Sequence, residues 1–438
     1  MAWIWSDVMT AEAQAFFVFS AGMLVLMGIG MNMAMALVLT GAGMAWVLDF
    51  WDTQLLAQNL VAGVDSFPLL AVPFFILAGE LMNTGGISRR IITMAQAWVG
   101  HIPGGLGYVA IAAAIMLSAM SGSALADAAA LATIVLPMMR KNGYPLAASA
   151  GLIAAGGVIG PIIPPSMAFV IYGVTTNTSV SALFVSGIVP GLIMGLGLVI
   201  AWKLQIRGLD LPADEKLPIK ERLKATLNAV WALLMPVIII GGMKSGMFTP
   251  TEAAVVAAAY ATVISFFVHR EMNLDDLYNV MVNAAKTTSV VIFLCAGAQV
   301  TGYMVTLADM PSTLSAWLGP MVDSPRLLMT VMMLVLVLVG TALDLTPTIL
   351  IFAPVMLPIA VKAGIDPVYF GLMFVLNGSI GLVTPPVGTV LNVVAGVGRM
   401  SLHQVVKGVN PFLITYVLIL SLFVVFPQLV IAPVAWLR

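Results

Sequence analysis

A chain of 438 residues that is 61% hydrophobic and only 8% charged departs far from soluble globular proteins, which run at about 45–50% and 25%. Eighteen basic and 19 acidic side chains, for a net charge of −1, cannot coat a body of this size, so the excess apolar surface must face lipid. The same counts exclude nucleic-acid binding, which needs clustered Lys and Arg. They also exclude an internal disulfide or cysteine cluster, because Cys295 is the one cysteine, and an HExxH zinc site, because His101, His269 and His403 are scattered.

No Lys or Arg precedes Arg89, so the first apolar stretch lacks the basic flank of a secretory signal and is expected to be retained as structure. A helix crosses the hydrocarbon in about 20 residues. Spans are predicted at Ala15–Ile29, Met33–Leu48, Phe67–Leu81, Ser181–Trp202, Leu227–Gly242, Thr251–Val268, Thr288–Thr306 and Pro411–Val434. The first two are joined by a tight turn at Gly28–Asn32, and the polar-flecked stretch Asp49–Ser66 belongs at the interface. Residues 88–99 and 312–319 are short and amphipathic, and are expected to lie along the membrane.

Four stretches are too long for simple spans. Tyr144–Thr176 and Asp366–Gly396 are interrupted by the proline pairs Pro164-Pro165 and Pro385-Pro386. Gly104–Met139 and Leu327–Ala360 carry small or polar breaks at Ser118–Ser123 and Gly340–Pro347. Two half-helices of about 16 residues reach only ~24 Å each, which predicts re-entrant hairpins for the second pair and broken transmembrane helices for the first.

The four anomalies form two pairs. Adding 221 carries Pro137, Gly143, Gly157, Gly160, Pro164, Pro165, Gly187 and Pro190 onto Pro358, Gly364, Gly378, Gly381, Pro385, Pro386, Gly408 and Pro411. The chain is a duplicated unit. The strongly basic loop Lys203–Lys224, with six Lys/Arg, is cytoplasmic by the positive-inside rule. Counting spans from it puts both termini outside and leaves only Lys244, Arg326, Lys362 and Arg438 on the outer side. It also makes the repeats inverted, an architecture of secondary transporters. Five segments are predicted: fixed helices in 1–87, a mobile element in 88–176, fixed helices in 177–310 with the linker 203–224, a second mobile element in 311–397, and a fixed helix in 398–438.

Helix breaks inside a membrane survive only where they line protein or water. They free carbonyls that can wrap a hard cation and N–H groups that favour an anion. Ser121, Ser123, Ser166, Thr341, Thr346, Ser379 and Thr384 add hydroxyls there. An all-oxygen set of this kind suits Na⁺. The plainer alternative is that Gly and Pro kink long spans while the hydroxyls bond the preceding turn. Asp344 lies in the second hairpin tip, where an ionised carboxylate costs about 2.5–3.5 kcal/mol unless it faces a cavity or a partner. Asp127, one turn past Ser123, is a second candidate. Glu80 and Glu252 near span ends read as interfacial caps. Serine-hydrolase chemistry at Ser121 or Ser123 lacks a base within reach, and the absence of a GxxxxGK[ST] loop excludes ATP-driven pumping by this chain.

The runs Phe74–Asn83, Gly85–Arg90, Ser121–Ala124, Gly160–Ser166 with Tyr172-Gly173, Leu183-Phe184, Pro190-Gly191, Asp366-Pro367 and Thr384–Gly388 resemble, in order and spacing, the large (DctM-type) permease subunit of tripartite ATP-independent periplasmic (TRAP) transporters. The resemblance runs over nearly the whole chain. It implies an all-α, inverted-repeat elevator in the bacterial inner membrane, with two hairpins and two broken helices. It implies Na⁺-driven uptake of an organic acid, such as a dicarboxylate or sialic acid, handed over by a periplasmic binding protein. A separate four-helix membrane subunit is the other implied partner; Na⁺ is the coupling ion, and neither a cofactor nor an enzymatic activity is implied. Carried onto this chain, the sodium ligands fall at Ser121, Gly122, Ser123, Gly160, Pro164, Pro165, Gly340, Asp344, Gly378, Ser379, Thr384, Pro385 and Pro386. The substrate contacts fall at Ser123, Ser166, Thr346 and Gly388. A stand-alone sodium/anion symporter of related architecture is the alternative.

Overall fold

The computed structural model describes residues 11–310, 312, 321–341 and 343–437, and the described residues are helices joined by turns and loops. Three helices open the chain: α1 (Ala11–Gly28), α2 (Met33–Val47) and α3 (Thr53–Ala62). A 3₁₀ turn at Phe67–Leu70 leads into α4 (Ala71–Thr84), followed by α5 (Ile87–Val99). The first hairpin is α6 (Gly105–Ser121) and α7 (Ala124–Lys141); the first broken helix is α8 (Leu146–Gly157) and α9 (Met167–Thr176). Then come α10 (Val180–Gln205), α11 (Ile219–Lys244), α12 (Pro250–Val263) and α13 (Leu274–Leu307). The second hairpin is α14 (Pro325–Gly340) and α15 (Leu345–Lys362), the second broken helix α16 (Pro367–Gly381) and α17 (Thr389–Gly398). The last helices are α18 (Leu402–Val425) and α19 (Gln428–Leu437).

The duplication keeps its register to within about three residues. Shifted by 221, the bounds of α7 become 345–362, those of α15. The unwound stretches 158–166 and 382–388 overlap under the same shift, and both Pro164-Pro165 and Pro385-Pro386 peptides are cis.

Several boundaries differ from the hydropathy pattern for one reason: apolar length measures what lipid covers, while caps set where a helix starts. α13 begins at Leu274 rather than Thr288, because Asn273 and Asp276 form a reciprocal capping box. α11 begins at Ile219, inside the stretch expected to be a loop. The final span is Leu402–Val425, started by a Ser401–Gln404 capping box and followed by Phe426-Pro427 before α19 begins, rather than the predicted Pro411–Val434. The second surface helix, at 312–319, and both chain ends lie outside the described residues.

Small residues set the packing. Every residue from Ala148 to Gly157 in α8 and from Val368 to Gly381 in α16 is buried. In α8 these are mostly Ala, Gly and Ser, which lets backbones approach closely. α18 lies against α8, with the Tyr416 hydroxyl donating to the Ala155 carbonyl at 2.7 Å. On the other side of the molecule, α2 packs on α13, where the Thr301 hydroxyl donates to the Leu37 carbonyl at 2.6 Å, and α4 packs on α12. α10 packs on α6, α8 and α16, and α18 on α8, α16 and α17. By contact these two helices lie against the hairpins and the broken helices.

Candidate functional site

The two hairpin tips meet across one cavity of about 370 Å³. Gly122, Ser123 and Ala124 line it from the first tip, and Asp344, Leu345 and Thr346 from the second. Thr287 on α13, together with Met167 and Ile171 on α9, completes much of the wall.

The first tip is held from within. α6 ends at Ser121, Gly122 turns the chain at φ +63°, and Ser123 caps α7 by accepting from the Ala126 N–H at 3.4 Å. Only glycine takes this φ freely. The Ser121 hydroxyl donates to Asp127 Oδ1 at 2.5 Å and accepts from the Ser123 N–H at 3.2 Å. Asp127 is buried, and its Oδ2 has no partner among the described residues. A Cβ on Gly160 would stand 2.8 Å from that oxygen and 2.9 Å from the Ser123 carbonyl carbon, so the unwound stretch 158–166 is pressed against the tip. Gly122 in turn abuts the Pro165 carbonyl.

The second tip is looser. Asp344 sits at the N-cap of α15 without a side-chain cap bond; instead its Oδ1 accepts from the Thr389 hydroxyl of α17 at 3.3 Å. Gly340 rests on Gly381, with a Cβ at 3.2 Å from the Gly381 Cα, and Gly378 faces the Leu345 side chain. Pro386 and Val387 are exposed, whereas 158–166 are buried throughout.

The unwinding has the same effect on the backbone in both copies. The carbonyls of Ile163, Pro164 and Pro165, and of their counterparts Thr384, Pro385 and Pro386, accept no hydrogen bond from any described residue. Three consecutive bare carbonyls per repeat suit a hard cation.

The hydroxyls divide differently. Ser379 and Thr384 donate to the Val375 and Ile380 carbonyls at 2.7 and 2.8 Å, and Thr341 to Leu338 at 2.7 Å, as local back-bonds. Ser166 is fully buried, donating to the Pro161 carbonyl and accepting from the Phe169 N–H at 3.3 Å. It does not line the cavity between the tips, and neither does Gly388, the N-cap of α17 at φ +46°. Of the four expected substrate contacts, Ser123 and Thr346 are the two that reach this cavity. Pro164 lines a separate cavity of about 240 Å³ with Ser179 and Lys244. Glu252 closes a capping box with Thr249 at the start of α12. Thr287 and Thr389 carried no signal in the sequence, because neither lies at a helix break within a predicted hairpin and both are brought to the tips by long-range packing.

Comparison with known proteins accords with this architecture. The family model for the tripartite ATP-independent periplasmic transporter DctM component matches residues 20–429. The chain is 50% identical over 410 residues to the 2,3-diketo-L-gulonate TRAP transporter large permease protein YiaN of Escherichia coli, covering 94% of this chain and 96% of that one. It is 39% identical over 382 residues to the C4-dicarboxylate large permease DctM of Pseudomonas aeruginosa, covering 87% and 90%. It is 39% identical over 410 residues to the sialic acid large permease SiaM of Vibrio cholerae, covering 93% and 95%. The fold is similar to the crystal structure of the Alcanivorax borkumensis YdaH transporter, with a TM-score of 0.63 at 15% identity, covering 94% of this chain and 97% of that one. The chain therefore belongs to the TRAP transporter family as a large permease subunit, a multi-pass membrane protein.

Proposed function

We propose that this permease takes up an organic acid by Na⁺-coupled secondary transport in the bacterial inner membrane, the substrate being delivered by a periplasmic binding protein. The observation that carries the reading is the cavity between the two hairpin tips, the first tip pressed on its unwound stretch and the unwound stretch of each repeat carrying three bare carbonyls. Na⁺ held by those carbonyls, with Ser123 and Asp344 nearby, neutralises a site that would otherwise repel a carboxylate. The substrate then bridges the tips, meeting the N-terminal N–H groups of α7 and α15 and the Ser123 and Thr346 hydroxyls. The hairpins, the broken helices and the α10 and α18 helices packed on them slide as an elevator against α2, α4, α12 and α13. The sodium gradient and membrane potential supply the work, about 2.3 kcal/mol per charge per 100 mV. The linker 203–224 is cytoplasmic and both termini periplasmic, and a separate four-helix membrane subunit completes the complex.

The relatives' names speak of a diketo sugar acid, C4-dicarboxylates and sialic acid, and organic acid is the class they share. The test is uptake into proteoliposomes carrying this chain and its small subunit, with binding protein and sodium each omitted in turn. Uptake is expected only when both are present. Uptake by the permease without the binding protein would make it a stand-alone symporter, and uptake indifferent to sodium would remove the coupling.

A further inference from the structure

A second cavity, of about 450 Å³, lies at the opposite end of the same helices and shares no wall residue with the cavity between the tips. The two are in series. Along α9, Ile171 lines the first and Val174 the second; along α13, Leu294 lines the first and Cys295 the second; along α15, Thr346 lines the first and Leu350 the second. The facing wall residues are one to four positions apart, so at about 1.5 Å per residue the two chambers lie within about one helical turn of each other. The second chamber lies toward Leu307 and Asn177, the ends of α13 and α9 remote from the basic linker, which is the outer side in the orientation proposed above.

Its chemistry differs from that of the tips. Ser66, Thr175, Asn177, Gln299, Tyr303 and Thr306 contribute hydroxyls and amides, and no charged side chain of the described residues lines it. Thr175 and Thr306 back-bond to the Ile171 and Gly302 carbonyls at 2.7 and 2.9 Å. Among the described residues, the side chains of Ser66, Asn177, Gln299 and Tyr303 have no hydrogen-bond partner. Gln299, Tyr303 and Thr306 are spaced i, i+4, i+7, on one face of α13, and all three are exposed. An amide eight residues inside the end of an apolar 34-residue helix is costly against hydrocarbon, so this stripe faces a wet chamber. Gly302 opens the wall further, since a Cβ there would meet nothing within 4 Å.

We propose that this outer chamber is a second binding site, which receives the hydroxyl-bearing body of a polyhydroxylated organic acid before the carboxylate reaches the tips. Uncharged donors and acceptors cannot neutralise a carboxylate, but they match alcohols, which both donate and accept. The inference rests on the transport reading and narrows it to hydroxy acids.

The test uses the complete transporter in proteoliposomes with D-gluconate as probe. In a Cys295→Ala background, Gln299→Cys places the sole thiol of this chain on the chamber wall. A membrane-impermeant maleimide added outside is expected to label it, and D-gluconate at roughly four to nine times its dissociation constant for that variant, but not the hydroxyl-free succinate, to slow labelling about five- to tenfold. Adding Gly302→Leu, which fills the chamber from a position with room for it, should abolish that protection. Separately, Gln299→Leu should raise the KM for D-gluconate uptake about five- to tenfold. Labelling that proceeds only from the linker side, or at the same rate with and without D-gluconate while the wild-type transporter takes it up, overturns the proposal. Protection without any sodium-dependent uptake keeps the chamber and removes the transport reading instead.

Discussion

Gly151 of α8 and Gly408 of α18 lie backbone to backbone: a Cβ on Gly151 would fall within the Gly408–Val409 peptide, and one on Gly408 against the Ala147 carbonyl. This contact welds the final long helix to the first broken helix, across 257 positions of sequence. It is the most direct reason to count α18 with the hairpins.

Gly151→Ala or Gly408→Ala is therefore expected to push the two helices apart and destabilise the fold by about 1–3 kcal/mol, the usual cost of overpacking. Tyr416→Phe, which removes the hydrogen bond to Ala155, should cost about 0.5–1.5 kcal/mol. Thermal unfolding in detergent reads both, and an unchanged midpoint for the glycine variants would deny the close crossing.

The first tip gives a sharper contrast. Gly122 and Gly143 both have positive φ, +63° and +72°, yet only Gly122 is hemmed in, by Pro165, while Gly143 has nothing within 4 Å. The left-handed backbone costs a non-glycine residue roughly 1–2 kcal/mol at either site. Gly122→Ala should abolish uptake by forcing the tip off the unwound stretch, whereas Gly143→Ala should retain most of it. Equal loss in both, at equal membrane insertion, would mean that the tip contact does not matter.

Asp344 and Thr389 join the second hairpin to the second broken helix. If sodium is held here, Asp344→Asn should raise the sodium concentration for half-maximal uptake about tenfold or more, since contacts to charged groups are worth ~1.5–3 kcal/mol. Thr389→Val should raise it less. Uptake measured against sodium at fixed substrate checks this, and identical sodium curves would remove Asp344 from the ion site.

Acid sensitivity is expected at the turn between α4 and α5. Arg90 pairs with Glu271 at 2.6 Å, and His269 Nδ1 lies 3.3 Å from the Gly85 carbonyl. The Arg90 hydrogen bond holds Glu271 below its ordinary 4.5, while burial and then the Arg90 charge hold His269 below 6.5. In both cases the unfolded chain binds more protons than the folded one, so stability rises with pH. On acidification His269 costs stability from about pH 6.5 downward, and Glu271 from about pH 4.5 downward as its folded pKa is approached. Unfolding midpoints recorded from pH 7.5 to pH 5 should fall, and His269→Gln should flatten that slope. A parallel fall in the variant would place the sensitivity elsewhere.

The hairpins and broken helices were legible because each violates a length rule: more than thirty residues of apolar chain cannot cross about 30 Å as one helix, and Gly, Pro and Ser mark where it gives way. The starts of α11 and α13 were not legible from hydropathy, because both helices begin in polar sequence outside the apolar run, α11 directly after Pro218 and α13 at the Asn273–Asp276 capping box. The roles of Ser166, Ser379 and Thr384 were equally hidden. A hydroxyl at a break can face a ligand or bond its own backbone, and in these three the backbone is the partner.

Composition alone determined that this is a membrane protein, and the 221-residue repeat of Gly and Pro determined that its two halves break in matching places. Those features are local: they follow from how a segment of given polarity and backbone freedom meets a bilayer. Which hydroxyls face the shared cavity, which long helices accompany the hairpins, and that two chambers stand in series along α9, α13 and α15 were decided only by tertiary packing. The contacts responsible, such as Gly151 with Gly408 or Asp344 with Thr389, join distant positions through close approach, and residue type fixes that such an approach is possible without fixing the partner.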